Sequence, residues 1–171
     1  MWKAMHVGRQ LAVIVAAAAI LGGCNSADAI DPASRLSTPT SVVLSAMTDG
    51  LQDEYHAAAV YEAVLARFGQ VLPFRNILQA ERQHAASIAA LFTARGLAVP
   101  LEVSRGTVPS FTSVADACSG GAAAEVENIG LYDTLLALDL PLDVRRVFEA
   151  NRRASLDNHL PAFERFGPVA I

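Results

Sequence analysis

This chain is poor in the residues that several kinds of site require. Among 171 residues only Cys24 and Cys118 are cysteine, and no C-x-x-C pair exists. Chemistry that rests on such a pair is excluded. Lysine occurs once, at Lys3, and every later basic residue is arginine. There is no glycine-rich phosphate loop and no run of interleaved aromatic and basic residues for single-stranded nucleic acid. Acidic residues outnumber basic ones, with a formal net charge of −4, which argues against nucleic acid as a partner. Ser-His-acid hydrolysis has no local signature. Ser155 and His159 lie one turn apart on a helical stretch, but an unstrained helical serine is a poor nucleophile.

The first recognisable segment is a leader. Lys3 and Arg9 form a short basic region, and the Ala-rich apolar run Leu11 to Ile20 is too short for a permanent membrane span. It ends in Leu21-Gly22-Gly23-Cys24, where small residues give a peptidase room at the backbone and the thiol can carry a lipid. This resembles the lipobox of bacterial lipoprotein signal peptides. The expectation is removal of residues 1–23, lipidation of Cys24, and membrane attachment in the bacterial cell envelope. In a Gram-negative cell, Asn25 resembles the outer-membrane-directed pattern, with the domain facing the periplasm. Loss of Lys3 and Arg9 with every acidic residue kept takes the net charge to −6. Cys118 then remains as the one free thiol, so no internal disulfide forms, and it is expected to be a small buried side chain.

Residues 24–41, rich in Ser, Thr, Pro, Ala and Asp, read as the lipidated cysteine and a flexible tether. Residues 42–168 form one domain, long enough for a real core. Four helical stretches are predicted within it. The first runs from Val42 to Phe68 and stops at Gly69; the second starts near Pro73 and stops at Gly96. Residues 97–111, with Pro100, Gly106 and Pro109, read as a crossover loop. The third helix spans Ser113 to Leu138, its early turns weakened by Gly120-Gly121. The fourth runs from Pro141 to Phe166, with Pro161 tightening or kinking its last turns. Hairpin, longer crossover, hairpin is the plan of an all-α, antiparallel four-helix bundle.

Three of the helices place acidic residues in apolar stripes. Leu51, Glu54, Ala58, Tyr61, Leu65 and Phe68 share one face of the first; Ile77, Glu81, His84, Ile88 and Leu91 share one face of the second. Cys118, Ala122, Glu125, Ile129, Tyr132 and Leu136 repeat the arrangement in the third. Glu127 falls off that stripe and is expected in solvent. A carboxylate in an apolar stripe is costly unless its charge is compensated. The fourth helix offers two neighbouring stripes: Leu142, Glu149, Leu156, Leu160 and Phe163, or Phe148, Arg152, Ser155 and His159. Glu149 and His159 are about 15 Å apart along a helix axis and cannot share one ion. The candidate metal ligands are therefore Glu54, Glu81, His84, Glu125 and Glu149, with His159 as the lesser alternative. Tyr61 and Tyr132, each seven residues beyond an inward glutamate, either donate hydrogen bonds to carboxylates or are aromatic core. The competing reading is a buried salt-bridge network through Arg82, Arg145 or Arg152.

Glu and His donors suit Fe, Mn or Zn, and a bridging carboxylate draws two ions together. An iron centre of this kind, mononuclear or di-iron, can act on oxygen, peroxide or Fe(II).

Several segments resemble the ferritin-like superfamily and, more narrowly, the bacterial and archaeal family DUF2202. They are Asp53-Glu54-Tyr55-His56-Ala57 with Val60-Tyr61, Phe74-Arg75-Asn76-Ile77 leading to Ala80-Glu81-Arg82-Gln83-His84, Gly121-Ala122 leading to Glu125, Phe148-Glu149, and Ser155 through Asn158-His159-Leu160 to Ala162-Phe163. The resemblance implies a ferritin-like four-helix fold. It implies two metals held by one carboxylate from the first and third helices and E-x-x-H from the second and fourth. By position Glu54, Glu81, His84, Glu125 and Glu149 carry over. The fourth-helix histidine does not, because Arg152 stands three residues after Glu149 and repels a cation.

Two functions follow. One is an envelope metal-binding protein or oxidoreductase acting on iron, oxygen or peroxide. The other is a non-catalytic lipid-anchored bundle that binds another envelope component or a second copy of itself.

Overall fold

The computed structural model describes residues 38–103 and 108–167. The leader, Cys24 and most of the tether lie outside them. Among the described residues all regular structure is helical: α1 (Ser41–Phe68), α2 (Phe74–Ala94), α3 (Val114–Leu136), α4 (Leu142–Ala154), one π-helical turn (Ser155–His159) and α5 (Leu160–Phe166). The last three run on as a single rod, so the domain is a four-helix bundle. No helix among the described residues is long and apolar enough to cross a membrane.

The helix ends follow local chemistry. Thr40 caps α1 by accepting the Val43 amide at 3.3 Å, and Ser113 caps α3 by accepting the Asp116 amide at 3.1 Å. At the end of α2, Gly96 takes φ 68°, which returns the Leu97 amide to the Phe92 carbonyl at 3.0 Å. The crossover is pinned to α1 by Gln52, whose side chain donates to the Leu101 carbonyl and accepts from the Val103 amide.

Two apolar layers form the core. One gathers Met47, Leu51, Ile88, Phe92, Tyr132, Leu135, Val144 and Phe148; the other gathers Tyr61, Val64, Phe74, Ile77, Leu78, Cys118 and Phe163. α1 and α4 leave the first layer for the second, and α2 and α3 run the opposite way. Each hairpin is thus antiparallel, α2 and α3 run parallel on either side of the crossover, and each helix crosses the interval between the layers once.

Gly120 and Gly121 do not interrupt α3. Glycine at 121 lets Phe163 seat directly on the helix: an added Cβ would meet the Phe163 ring at 2.7 Å. Phe163 is fully buried and packs on Tyr61 and Phe74, with ring centroids 5.3 and 5.0 Å away. Gly121→Ala is therefore expected to destabilise the fold by about 1–3 kcal/mol through overpacking, measurable by denaturant unfolding.

The π turn marks where the fourth rod departs from regular spacing. The Leu160 amide reaches back five residues to the Ser155 carbonyl. Pro161, directly beyond, has no amide to donate to the carbonyl four residues back. The turn widens the helix there and moves everything beyond it one position out of the register set by α4.

Candidate metal centre

Between the apolar layers lies one polar layer, supplied by every rod. α1 brings Glu54, α2 Glu81 and His84, α3 Glu125 and Asn128, α4 Asn151, and the π turn Ser155 and His159. Glu54, Glu81 and Glu125 are 0, 1 and 2 % exposed. Carboxylates this far from water persist only with strong compensation.

The donor atoms form two groups that share Glu81. Glu54, Glu81 and His84 make the first; Glu81, Glu125 and His159 make the second, and within each group the donor atoms lie within 4.8 Å of one another. In the first, His84 Nδ1 is 3.0 Å from Glu81 Oε2 and 3.4 Å from Glu54 Oε2. In the second, His159 Nδ1 is 3.0 Å from Glu81 Oε1 and 3.4 Å from Glu125 Oε2. The two imidazoles stack with centroids 5.4 Å apart. Each oxygen of Glu81 thus faces a different histidine.

The tyrosines cross between helices. Tyr61 of α1 donates to Glu125 Oε1 on α3 at 2.8 Å, and Tyr132 of α3 donates to Glu54 Oε1 on α1. Asn151 donates to the Tyr132 hydroxyl at 3.0 Å. Each outer glutamate therefore has one oxygen held by a phenol and the other turned toward a histidine. A parallel chain runs from Ser155 Oγ to Asn128 Oδ1 (2.8 Å) and from Asn128 Nδ2 to Asp53 Oδ2 (2.6 Å). Burial pushes the Asp53 carboxyl up, against the opposing effects of Asn128 and His56.

Three buried atoms in the layer have no hydrogen bond: Glu54 Oε2, Glu81 Oε1 and His159 Nδ1. The last two stand 3.0 Å apart without hydrogen-bond geometry. An unsatisfied polar atom so deep in a core calls for a specific cause, and a bound ion is one. Both atoms lie among donors close enough together to hold a single ion.

The protein groups also set each other's protonation. Burial pushes the Glu54 carboxyl up to about 8. Burial works against charge on Glu81 as well, but the adjacent imidazoles of His159 and His84 outweigh it and hold that carboxyl down to about 2. Burial alone would lower both imidazoles. Glu54 and Glu81 instead raise His84 to about 10, and Glu125 and Glu81 raise His159 to about 9. Burial drives both tyrosines well above their usual value, with Glu125 the next cause at Tyr61 and Glu54 at Tyr132, so each stays a donor.

Of the sequence candidates, Glu54, Glu81, His84, Glu125, Tyr61 and Tyr132 meet here. Glu149 does not. It is exposed and belongs to neither group, whereas His159, the lesser alternative, is buried in the second. The inward face of the fourth rod is Phe148, Asn151, Ser155, His159 and Phe163; Leu142 and Leu156 of the alternative stripe are 61 and 41 % exposed. Arg152 does not approach the layer, because it pairs with Asp133 at 2.7 Å on the surface. The alternative network through arginine is not formed: Arg82 pairs with Glu62, and Arg145 donates to the Leu136 and Leu138 carbonyls. Asn128 and Asn151 were outside the sequence candidates. Their signal is spacing, Asn128 three residues beyond Glu125 and Asn151 three beyond Phe148.

Comparison with known proteins shows likeness at the level of fold. No protein family and no curated protein match the sequence. A conserved hypothetical protein of Mycobacterium tuberculosis, known as a crystal structure, superposes with a TM-score of 0.65 at 19 % identity, over 75 % of this chain and 98 % of that one. A hypothetical protein of Methanococcus jannaschii superposes with a TM-score of 0.63 at 21 % identity, over 71 % of this chain and 77 % of that one. Both likenesses support an all-α bundle. The residues define its class further, as a helical bundle with a buried Glu/His cluster able to hold a metal.

Proposed function

We propose that the domain binds two divalent metal ions side by side, one on Glu54, Glu81 and His84 and one on Glu81, Glu125 and His159, with Glu81 bridging. The observation that carries this reading is Glu81, whose two oxygens face two histidines and whose Oε1 lies 3.0 Å from an imidazole nitrogen it does not hydrogen-bond. Oxygen and imidazole donors fit Fe, Mn or Zn. Five protein ligands for two ions leave coordination positions open.

With iron, such a pair supplies redox chemistry toward oxygen, peroxide or Fe(II). What the chain contributes is positional. Tyr61 and Tyr132 hold Glu125 and Glu54 in orientation, Asn151 fixes Tyr132, and the two apolar layers keep bulk water from the donors. The ferritin-like resemblance and the L-G-G-C leader extend the reading to a lipid-anchored envelope protein whose ferritin-like domain handles metal near the membrane surface.

The test is metal content by inductively coupled plasma mass spectrometry, on residues 25–171 incubated anaerobically with Fe(II), Mn(II) or Zn(II) and desalted. Two retained equivalents are expected. A folded helical sample that retains none refutes the reading.

A further inference from the structure

We infer that the centre is loaded from one side, through a cleft between α1 and α3 that draws divalent cations to the Glu81–Glu125–His159 position. This rests on the metal-binding reading above. The cleft has a volume of about 330 Å³ and ends on Glu81 and Glu125, while Glu54 and His84 are not part of its lining. It therefore meets two members of the second donor group, Glu81 and Glu125, and only the shared Glu81 of the first; His159 does not line it. Besides the two buried glutamates, its acidic residues are Asp53 and Glu127; His56 also lines it, and no arginine does among the described residues.

A concave surface with one sign of charge and apolar walls focuses field and raises the local concentration of the opposite ion. This cleft is built that way, with alanine, valine and phenylalanine side chains between the carboxylates. A second cleft, between α2 and α5, is the one that His159 lines. It contains Arg165 and no carboxylate among its described lining residues, so it repels a cation. The unpartnered Oε1 of Glu81, a residue 1 % exposed, gives the α1–α3 cleft its destination. An ion arriving there meets Glu81 and Glu125 first, with His159 behind them completing the position. The position on Glu54, Glu81 and His84 lies behind it, across the shared carboxylate.

The probe is Co(II), followed by stopped-flow absorption during loading and again during removal by excess chelator, on soluble residues 25–171. Two substitutions address the cleft: Glu127→Gln removes a charge from an exposed position, and Ala124→Trp fills the passage. Glu62→Gln, on another face of α1, controls for net charge. Loading is expected to slow about threefold in Glu127→Gln at low ionic strength and about tenfold in Ala124→Trp. Chelator-driven loss should slow by the same factors, with final Co(II) occupancy unchanged and Glu62→Gln like wild type. Equal loading rates in all variants, with normal occupancy, overturn the route and leave the metal centre standing. A fall in occupancy in folded Glu127→Gln protein also overturns it, since the residue would then act on the centre itself. A wild-type protein that takes up no Co(II) overturns both the route and the reading on which it rests.

Discussion

Glu81→Gln is expected to empty both metal positions at once. The substitution keeps the side chain's volume, but the amide loses the charge and cannot present two anionic oxygens to two ions. His84→Ala and His159→Ala should differ from it in kind. His84 belongs to the first donor group alone and His159 to the second alone, so each variant should retain one equivalent where wild type retains two. Glu149→Gln, at an exposed position, should retain both. The measurement is metal content after desalting, with circular dichroism to confirm that each variant is helical. The discriminating comparison is Glu81 against the histidines. If all three variants lose the same amount of metal, the two groups do not act as separate positions. If Glu81→Gln binds as wild type does, the bridge is wrong.

Metal binding is also expected to release protons, and unequally at the two positions. Near pH 7 the metal-free centre keeps protons on Glu54, raised to about 8, on His84, raised to about 10, and on His159, raised to about 9. An ion needs the lone pairs those protons occupy. The first position must displace two protons and the second one. Affinity should therefore rise about a hundredfold per pH unit at the first position and about tenfold at the second, each slope flattening above its pKa values. Isothermal titration calorimetry in buffers of different ionisation enthalpy counts the protons directly. A heat independent of buffer excludes the scheme.

Stability without metal should run the other way. Groups whose pKa is raised by folding stabilise the fold fully below their unfolded values, and that contribution fades as pH rises through about 8, 9 and 10. Glu81, lowered to about 2, contributes above the ordinary glutamate range and loses this as pH falls toward 2. The metal-free protein should melt at a lower temperature at pH 9.5 than at pH 6, and added metal should recover more at the higher pH.

Much of this centre is legible in the chain because α1, α2 and α3 are regular. Glu54, Glu81, His84 and Glu125 interrupt apolar stripes at three- and four-residue steps, and a regular helix turns those steps into one face. Tyr61 and Tyr132 are legible for the same reason, though not that each reaches the other helix's glutamate. The fourth rod resists this reading. Counted at α-helical spacing from Glu149, the expected histidine falls on Arg152. His159 instead follows Phe148, Asn151 and Ser155 at steps of three and four, so the neighbouring stripe, and not the one that holds Glu149, faces the layer. The uncharged polar residues of the layer, Asn128, Asn151 and Ser155, carry no charge whose burial would have flagged them.

The two donor groups differ in how far apart in the chain their members lie. Glu54, Glu81 and His84 all belong to the α1–α2 hairpin, so half of the polypeptide suffices to assemble them. The other group joins Glu81 to Glu125 and His159 across the crossover and cannot exist until the second hairpin has docked. In the proposed holoprotein, one ion is thus a local ligand and the other a cross-link between halves. Protease sensitivity of the 97–111 crossover would then report occupancy of the second position and be blind to the first.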